Sequence, residues 1–166
     1  GVKLTGKLKP MCSSKDIILK LLQIETVKGG VGRVYEYFGP GVETLTVPQR
    51  STVTNMGAEL GATTSIFPSD NITKEFFKLQ KREKSWVEFK ADEGCTYDKV
   101  IEINLSEIVP MIAQPDMPDK VVAVSEIEGI KIDQAAIGSC TNSSINDLGI
   151  AADIDRKSTR LNSSHF

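Results

Sequence analysis

Cys140 lies in the run Ala136-Ile137-Gly138-Ser139-Cys140-Thr141-Asn142-Ser143-Ser144. A thiol here follows a short apolar stretch and precedes a polar segment suited to starting a helix. Main-chain N–H groups at such a turn stabilise a thiolate, the form of cysteine that binds metal or attacks carbon. In open α/β sheets, ligands also gather beyond the carboxyl ends of strands. Without function, the same residue reads as a small buried hydrophobe, and both readings stand at this point. Asn55 and Glu59 form a second pair, spaced so that both side chains leave one face of a helix. That face borders an apolar stripe of Val53, Met56 and Leu60. A solvated polar pair fits the same spacing. Gly57 and Gly61 add room for a ligand or a second domain to approach, at about 1 kcal/mol of helix propensity each.

Other groupings carry less chemistry. Lys28-Gly29-Gly30-Val31-Gly32-Arg33 has the glycines of a phosphate loop. That loop needs a strand before it, a helix after it and a Lys-Ser/Thr pair. Here Arg33-Val34 replaces the pair and the order is helix then strand, so the glycines read as a helix cap. Asp92, Glu93 and Asp98 around Cys95 read as a solvated loop. Cys12, Cys95 and Cys140 include no Cys-x-x-Cys pair and lie too far apart for a disulfide framework or a self-contained zinc site. A reducing, cytoplasmic compartment is the expectation. The net charge of −2 is spread evenly, so nucleic acid is not an expected partner. No stretch approaches the roughly 18–20 apolar residues that span a bilayer.

The elements that must position these residues follow from periodicity. Residues 1–8 read as a strand. Ser13 or Ser14 caps a helix with Ile17, Ile18, Leu21, Leu22 and Ile24 on its apolar face, and Gly29-Gly30 is its left-handed stop. A strand over 31–38 and a short one over 42–47 follow. Residues 48–60 read as a helix stopped by Gly61, and 62–67 as a short strand. Asp70 or Asn71 caps a helix over 73–80 that packs through Phe76, Phe77 and Leu79, with Trp86 and Phe89 anchoring the charged stretch 81–93. Residues 100–105 alternate as a half-buried strand does. Pro110, Pro115 and Pro118 punctuate an extended connection, before a strand over 132–137 and a helix over 144–152. This alternation predicts an α/β fold. A layered α/β/α domain is expected over 1–105, a Pro-rich linker and domain entry over 106–131, and the start of a second, similar domain over 132–154.

From Asp155 the composition shifts to a polar run ending in Ser163-Ser164-His165. It reads like the conceptual translation of a DNA-sequencing adapter. Residues 155–166 are therefore expected to be non-native, with the native sequence ending near Ile154. His165 is the single histidine of the chain, so on this reading no catalytic scheme rests on it. The chain opens in a strand with no initiator methionine and is expected to begin inside a longer protein.

Asn55-Met56-Gly57-Ala58-Glu59 and Gly138-Ser139-Cys140-Thr141-Asn142-Ser143-Ser144 occur with Gly1-Val2-Lys3-Leu4-Thr5-Gly6, Thr26-Val27-Lys28-Gly29-Gly30, Glu36-Tyr37-Phe38-Gly39-Pro40-Gly41-Val42 and Gly61-Ala62-Thr63-Thr64-Ser65-Ile66-Phe67-Pro68. In that order, across residues 1–154, the chain resembles the aconitase (aconitate hydratase) family. That family is similar to the isopropylmalate and homoaconitate dehydratases, and Ser143-Ser144 and Gly57-Ala58 differ from what the isopropylmalate branch tends to carry. The resemblance implies an aconitase-type α/β fold and an iron-sulfur carbon–oxygen lyase that interconverts citrate and isocitrate through cis-aconitate. It also implies a small-molecule tricarboxylic acid substrate and a monomeric whole protein.

In the family, three cysteines hold a 4Fe-4S cluster whose open iron is a Lewis acid. Cys140 matches the first metal ligand, Asn55 a substrate-binding position, and Glu59 a catalytic position that assists protonation of the departing oxygen. The other two cysteines, the serine base, the Asp–His pairs and the clamping arginines match nothing here, so the 166-residue chain is expected to be inactive alone. The rival readings are a sister dehydratase large subunit, an RNA-binding relative and a thiol enzyme. The RNA reading lacks a basic stripe and stacking aromatics. The thiol enzyme, with Cys140 as nucleophile, lacks a base other than His165.

Overall fold

The computed structural model describes residues 1–162, with side chains through Lys157. The chain forms two compact units, Gly1–Ile130 and a second beginning at Lys131.

The first unit is built on four parallel strands, β1 (Val2–Thr5), β2 (Val34–Phe38), β3 (Thr64–Ile66) and β4 (Ile101–Asn104), in the order β3-β2-β1-β4. Parallel neighbours need crossovers. Helix α1 (Ser14–Glu25) joins β1 to β2, and α2 (Val47–Asn55) joins β2 to β3. The predicted α/β class is what forms, a parallel sheet flanked by helices. Val2, Leu4, Tyr35, Tyr37, Ile101 and Ile103 alternate along their strands into a core shared with Ile17, Ile18, Leu21 and Leu22 of α1. Glu102 and Asn104, on the opposite face of β4, stay exposed.

Several element boundaries differ from the sequence reading. Helix α1 starts where expected, with the Ser13 N–H donating to Asp16 Oδ2 at 2.6 Å. It stops not at a glycine but at Thr26 (φ 62°), whose N–H donates to Leu22 O at 2.8 Å. Gly30 instead permits close approach: a Cβ there would lie 2.7 Å from Leu60 O, the oxygen that accepts the Gly30 N–H. Residues 42–47 form no strand. Pro40–Thr44 is a 3₁₀ turn, closed by Thr44 Oγ1 donating to Gly41 O at 2.7 Å.

The helix expected over 48–60 is shorter. It ends at Asn55 and tightens into a 3₁₀ turn, Met56–Ala58, before Gly61 (φ 74°) redirects the chain into β3. Val53, Met56 and Leu60 are buried as their stripe predicts. Helix α3 (Asn71–Leu79) is capped by Asp70, which accepts the Thr73 N–H at 3.1 Å. Its Leu79 is 80% exposed and packs nothing. Nor is Phe89 a buried anchor: its backbone pairs with Ser69 instead, at 2.7 and 3.1 Å.

Residues 106–130 are not a linker. Strands β5 (Met111–Ala113) and β6 (Val121–Ala123) form an antiparallel hairpin that joins the first unit. Asp16 accepts the Met111 N–H at 2.8 Å, Gln23 donates to Val121 O at 2.9 Å, and Ile108 and Val121 enter the core. The prolines mark turns of a packed hairpin and not a free connection.

In the second unit, 132–137 is not a strand. Ile132 and Ile137 are 70% and 54% exposed, and the described residues there offer no strand to pair with. The short turn α4 (Ser139–Asn142) precedes α5 (Ile145–Asn162). Ser144 caps α5 by exchanging bonds with Asp147, Oγ to Oδ2 at 2.7 Å and Asp147 N–H to Oγ at 3.2 Å. Helix α5 runs past the expected end at residue 152 into the polar run, and Arg156 of that run pairs with Asp153 before it at 2.8 Å.

One buried cation ties the first unit together. Arg50 is 4% exposed and lies on the Val53–Met56–Leu60 stripe. Its Nε donates to Leu45 O at 3.1 Å, and its Nη2 to Val42 O at 3.0 Å and Asp70 Oδ2 at 2.7 Å. Nη1 reaches Pro68 O at 3.1 Å and Asp70 Oδ1 at 2.9 Å. Bidentate pairing of this kind is strong where it is shielded from water. Burial alone would raise the Asp70 carboxyl, but hydrogen bonds from Arg50 and from the Thr73 N–H, with the Arg50 charge, outweigh it and hold the group below its usual range.

A carboxyl lowered by folding stabilises above its unfolded value, about 3.9, and that contribution fades as pH falls through the lowered folded value. Asp70→Asn is therefore predicted to cost about 1–3 kcal/mol at pH 7 and progressively less below about pH 4. Urea unfolding of both proteins at the two pH values checks this; equal midpoints at pH 7 would refute it.

Candidate functional site

The 3₁₀ turn alters the relation between Asn55 and Glu59. Four α-helical steps return a side chain to within about 40° of its start, whereas four 3₁₀ steps rotate it by about 120°. Asn55 closes α2 and Glu59 follows the turn, with its N–H donating to Met56 O at 3.2 Å. The two no longer share one regular helical face.

Asn55 lines a cleft of about 470 Å³ between the end of α2 and β3, with Ser51, Thr54, Gly57, Thr64 and Ser65 among its other walls. Glu59 is not one of the lining residues. It sits on the loop between Gly57 and Ala62, which closes on itself through the Ala62 N–H to Gly57 O at 3.1 Å and the Gly61 N–H to Ala58 O at 2.9 Å. Glu59 Oε2 is buried and has no hydrogen-bond partner among the described residues. A buried carboxylate oxygen without a donor costs folding free energy, so this position suits an oxygen that receives a donor from a ligand or water.

Ser65 shares that property and was invisible in the sequence. Its Oγ is buried without a partner, and a Cβ on Gly57 would lie 2.6 Å from it. No spacing rule links residues 57 and 65; only the turn from α2 into β3 brings them together. Arg50 was also missed, although a charged residue three positions before Val53 on the apolar stripe was a readable signal.

Cys140 belongs to the second unit. Its side chain is exposed on α4, after Ser139 (φ 66°) and with Ser139 Oγ at 3.5 Å. The expected strand before it is absent, and it sits on the short turn Ser139–Asn142. Cys12 is half-buried, its Sγ donating to Ile108 O at 3.4 Å, and Cys95 is exposed beside the Tyr97 hydroxyl at 3.7 Å. Among the described residues no three Cys, His, Asp or Glu side chains gather where they could hold a metal ion. A cluster requiring three thiolates is therefore not held by these residues; they supply one candidate donor, not a set. His165 lies outside the described residues. No helix among them is long and apolar enough to cross a membrane.

Residues 1–128 match the model of the aconitase family, described as aconitate hydratase. The chain is 43% identical over 169 residues to the mitochondrial aconitate hydratase of Emericella nidulans, covering 93% of this chain and 22% of that protein. To the corresponding enzyme of Schizosaccharomyces pombe it is 44% identical, with 93% and 21% covered. To that of Saccharomyces cerevisiae it is 42% identical, with 93% and 22% covered. The chain thus spans about a fifth of the length of these relatives.

Their mitochondrial names overturn the cytoplasmic expectation. None of the three cysteines is in a disulfide. Thiols report redox state, not address, and so do not separate cytoplasm from mitochondrion. With a family model covering most of its length, the chain belongs to the aconitase family.

Proposed function

We propose that this chain is part of a mitochondrial aconitate hydratase, a lyase that interconverts citrate and isocitrate through cis-aconitate. The carrying observation is the likeness to aconitate hydratases across 93% of the chain. Glu59 is the proposed proton carrier. Its Oε2, buried and without a donor among the described residues, is suited to exchanging a proton with the oxygen that leaves or enters the substrate. Asn55, on the wall of the adjoining cleft, is the proposed substrate-binding residue, orienting an oxygen through its amide. Cys140 is proposed as one ligand of a 4Fe-4S cluster. Its exposure on a short turn leaves the sulfur accessible, and further ligands must come from outside the described residues.

Two outcomes are expected. Iron–sulfide treatment of the 166-residue chain should yield no stoichiometric cluster absorbance and no turnover of cis-aconitate; an absorbance near one cluster per chain would contradict the single-donor reading. In a hybrid with residues 1–128 replacing the matching segment of the S. cerevisiae enzyme, citrate should be converted to isocitrate. Glu59→Gln in that hybrid should lower kcat by about 10²–10⁴-fold with a much smaller change in KM. A hybrid that folds without turning over citrate, or one indifferent to the substitution, would refute the assignment.

A further inference from the structure

The cleft beside Asn55 is polar yet uncharged. Its walls are hydroxyl, amide and small residues, with no Lys, Arg, Asp or Glu among them. A substrate carboxylate would enter it without a counter-charge, at a steep desolvation cost. A neutral hydroxyl or a water molecule would find donors and acceptors of matching strength.

Ser65 carries the buried hydroxyl in that wall whose hydrogen-bonding capacity is unused among the described residues. Its Oγ is buried and finds no partner among the described residues. Most buried hydroxyls in folded proteins are paired, and the exceptions call for an explanation. The backbone holds this one firmly. Ser65 is the middle residue of β3, in parallel register with Tyr35 of β2, so the hydroxyl rides on a strand and not on a loop. Gly57 then leaves it space: a methyl group there would press to 2.6 Å from the oxygen but only 3.6 Å from Ser65 Cβ. The missing side chain thus protects the hydroxyl in particular. Gly57 also anchors, through its carbonyl and the Ala62 N–H, the loop that carries Glu59. One turn therefore governs both Ser65 Oγ and Glu59 Oε2, two of the four buried side-chain atoms without a partner among the described residues.

We propose that Ser65 is a ligand-binding residue, its hydroxyl kept clear by the bare Cα of Gly57 so as to hydrogen-bond a neutral oxygen, either the hydroxyl of the hydroxy acid or the water exchanged with it. This rests on the lyase reading above and adds a residue to it. Ser65 discriminates a hydroxylated tricarboxylate from the same skeleton lacking the hydroxyl.

The test uses the S. cerevisiae hybrid and two ligands, citrate and propane-1,2,3-tricarboxylate, with affinities measured by calorimetry. Ser65→Ala should weaken citrate about tenfold, the worth of one neutral hydrogen bond, and leave the deoxygenated ligand unchanged. Ser65→Thr, which keeps the hydroxyl, should restore most of the citrate affinity. Gly57→Ala should reproduce the Ser65→Ala pattern without altering Ser65, and combining the two should add nothing further. Equal weakening of both ligands, or no change in either, would overturn the inference while the hybrid's turnover leaves the lyase reading standing. A folded hybrid that neither binds nor converts citrate would remove both.

Discussion

The arrangement around the cleft depends on a single buried guanidinium. Arg50 joins three pieces of chain: the 3₁₀ turn after β2, its own helix α2, and the segment between β3 and α3 that contains Pro68 and Asp70. A buried cation is tolerable only when its donors are answered. Here each of its three nitrogens has an acceptor, and Asp70 neutralises the charge. The ring of Phe67 lies 5.9 Å from the guanidinium carbon and stacks on Tyr37 of β2 with centroids 4.4 Å apart. The start of α2 and the exit from β3 are thereby held in one geometry. The stretch between them, from Asn55 at the end of α2 through Gly57 and Glu59 to Ser65 in β3, has both ends fixed.

That constraint explains how a short stretch keeps two buried oxygens without partners. An isolated loop would rotate Glu59 Oε2 and Ser65 Oγ toward water. A turn closed by the Gly61 and Ala62 N–H groups, entered from a helix and left through a paired strand, has less freedom to do so. Unused hydrogen-bonding capacity held on a rigid frame is how proteins reserve groups for a ligand. A second ionic centre lies elsewhere in this unit. Buried Glu25, at the end of α1, receives the Tyr35 hydroxyl at 3.2 Å, pairs with Arg33 at 3.6 Å and binds Lys99. It fastens the chain leading into β4. Tyr35, buried beside that carboxylate, has its phenol pushed up to about 12. This cluster is internally satisfied and reads as structural.

Periodicity made the core legible. Alternation gave the inward face of β4, and the apolar spacing of α1 and of Val53, Met56 and Leu60 gave the helical faces. Interactions that period cannot encode were missed. The exchange of α-helix for 3₁₀ turn at Met56 changes no hydrophobic position that pattern matching would notice, yet it takes Asn55 and Glu59 off a shared helical face. The hairpin over 106–130 hid behind its prolines, because its packing depends on side-chain bonds from Asp16 and Gln23 some 95–98 residues away. The stretch 132–137 has the composition of a strand but no described partner, and a strand is defined by its ladder. Asn55, Glu59 and Cys140 could be named through resemblance; Ser65 emerged only from geometry.

Amide hydrogen exchange in Arg50→Met reports most directly on whether the buried guanidinium sets the cleft. The prediction is selective: the Glu59, Gly61, Ala62 and Thr63 amides, each hydrogen-bonded in the native turn, should exchange about tenfold faster or more. Amides of β1 and β4, paired from Val2 with Ile101 to Thr5 with Asn104, should keep most of their protection. Uniform acceleration across the unit, or an unchanged turn, would show that the site does not depend on Arg50.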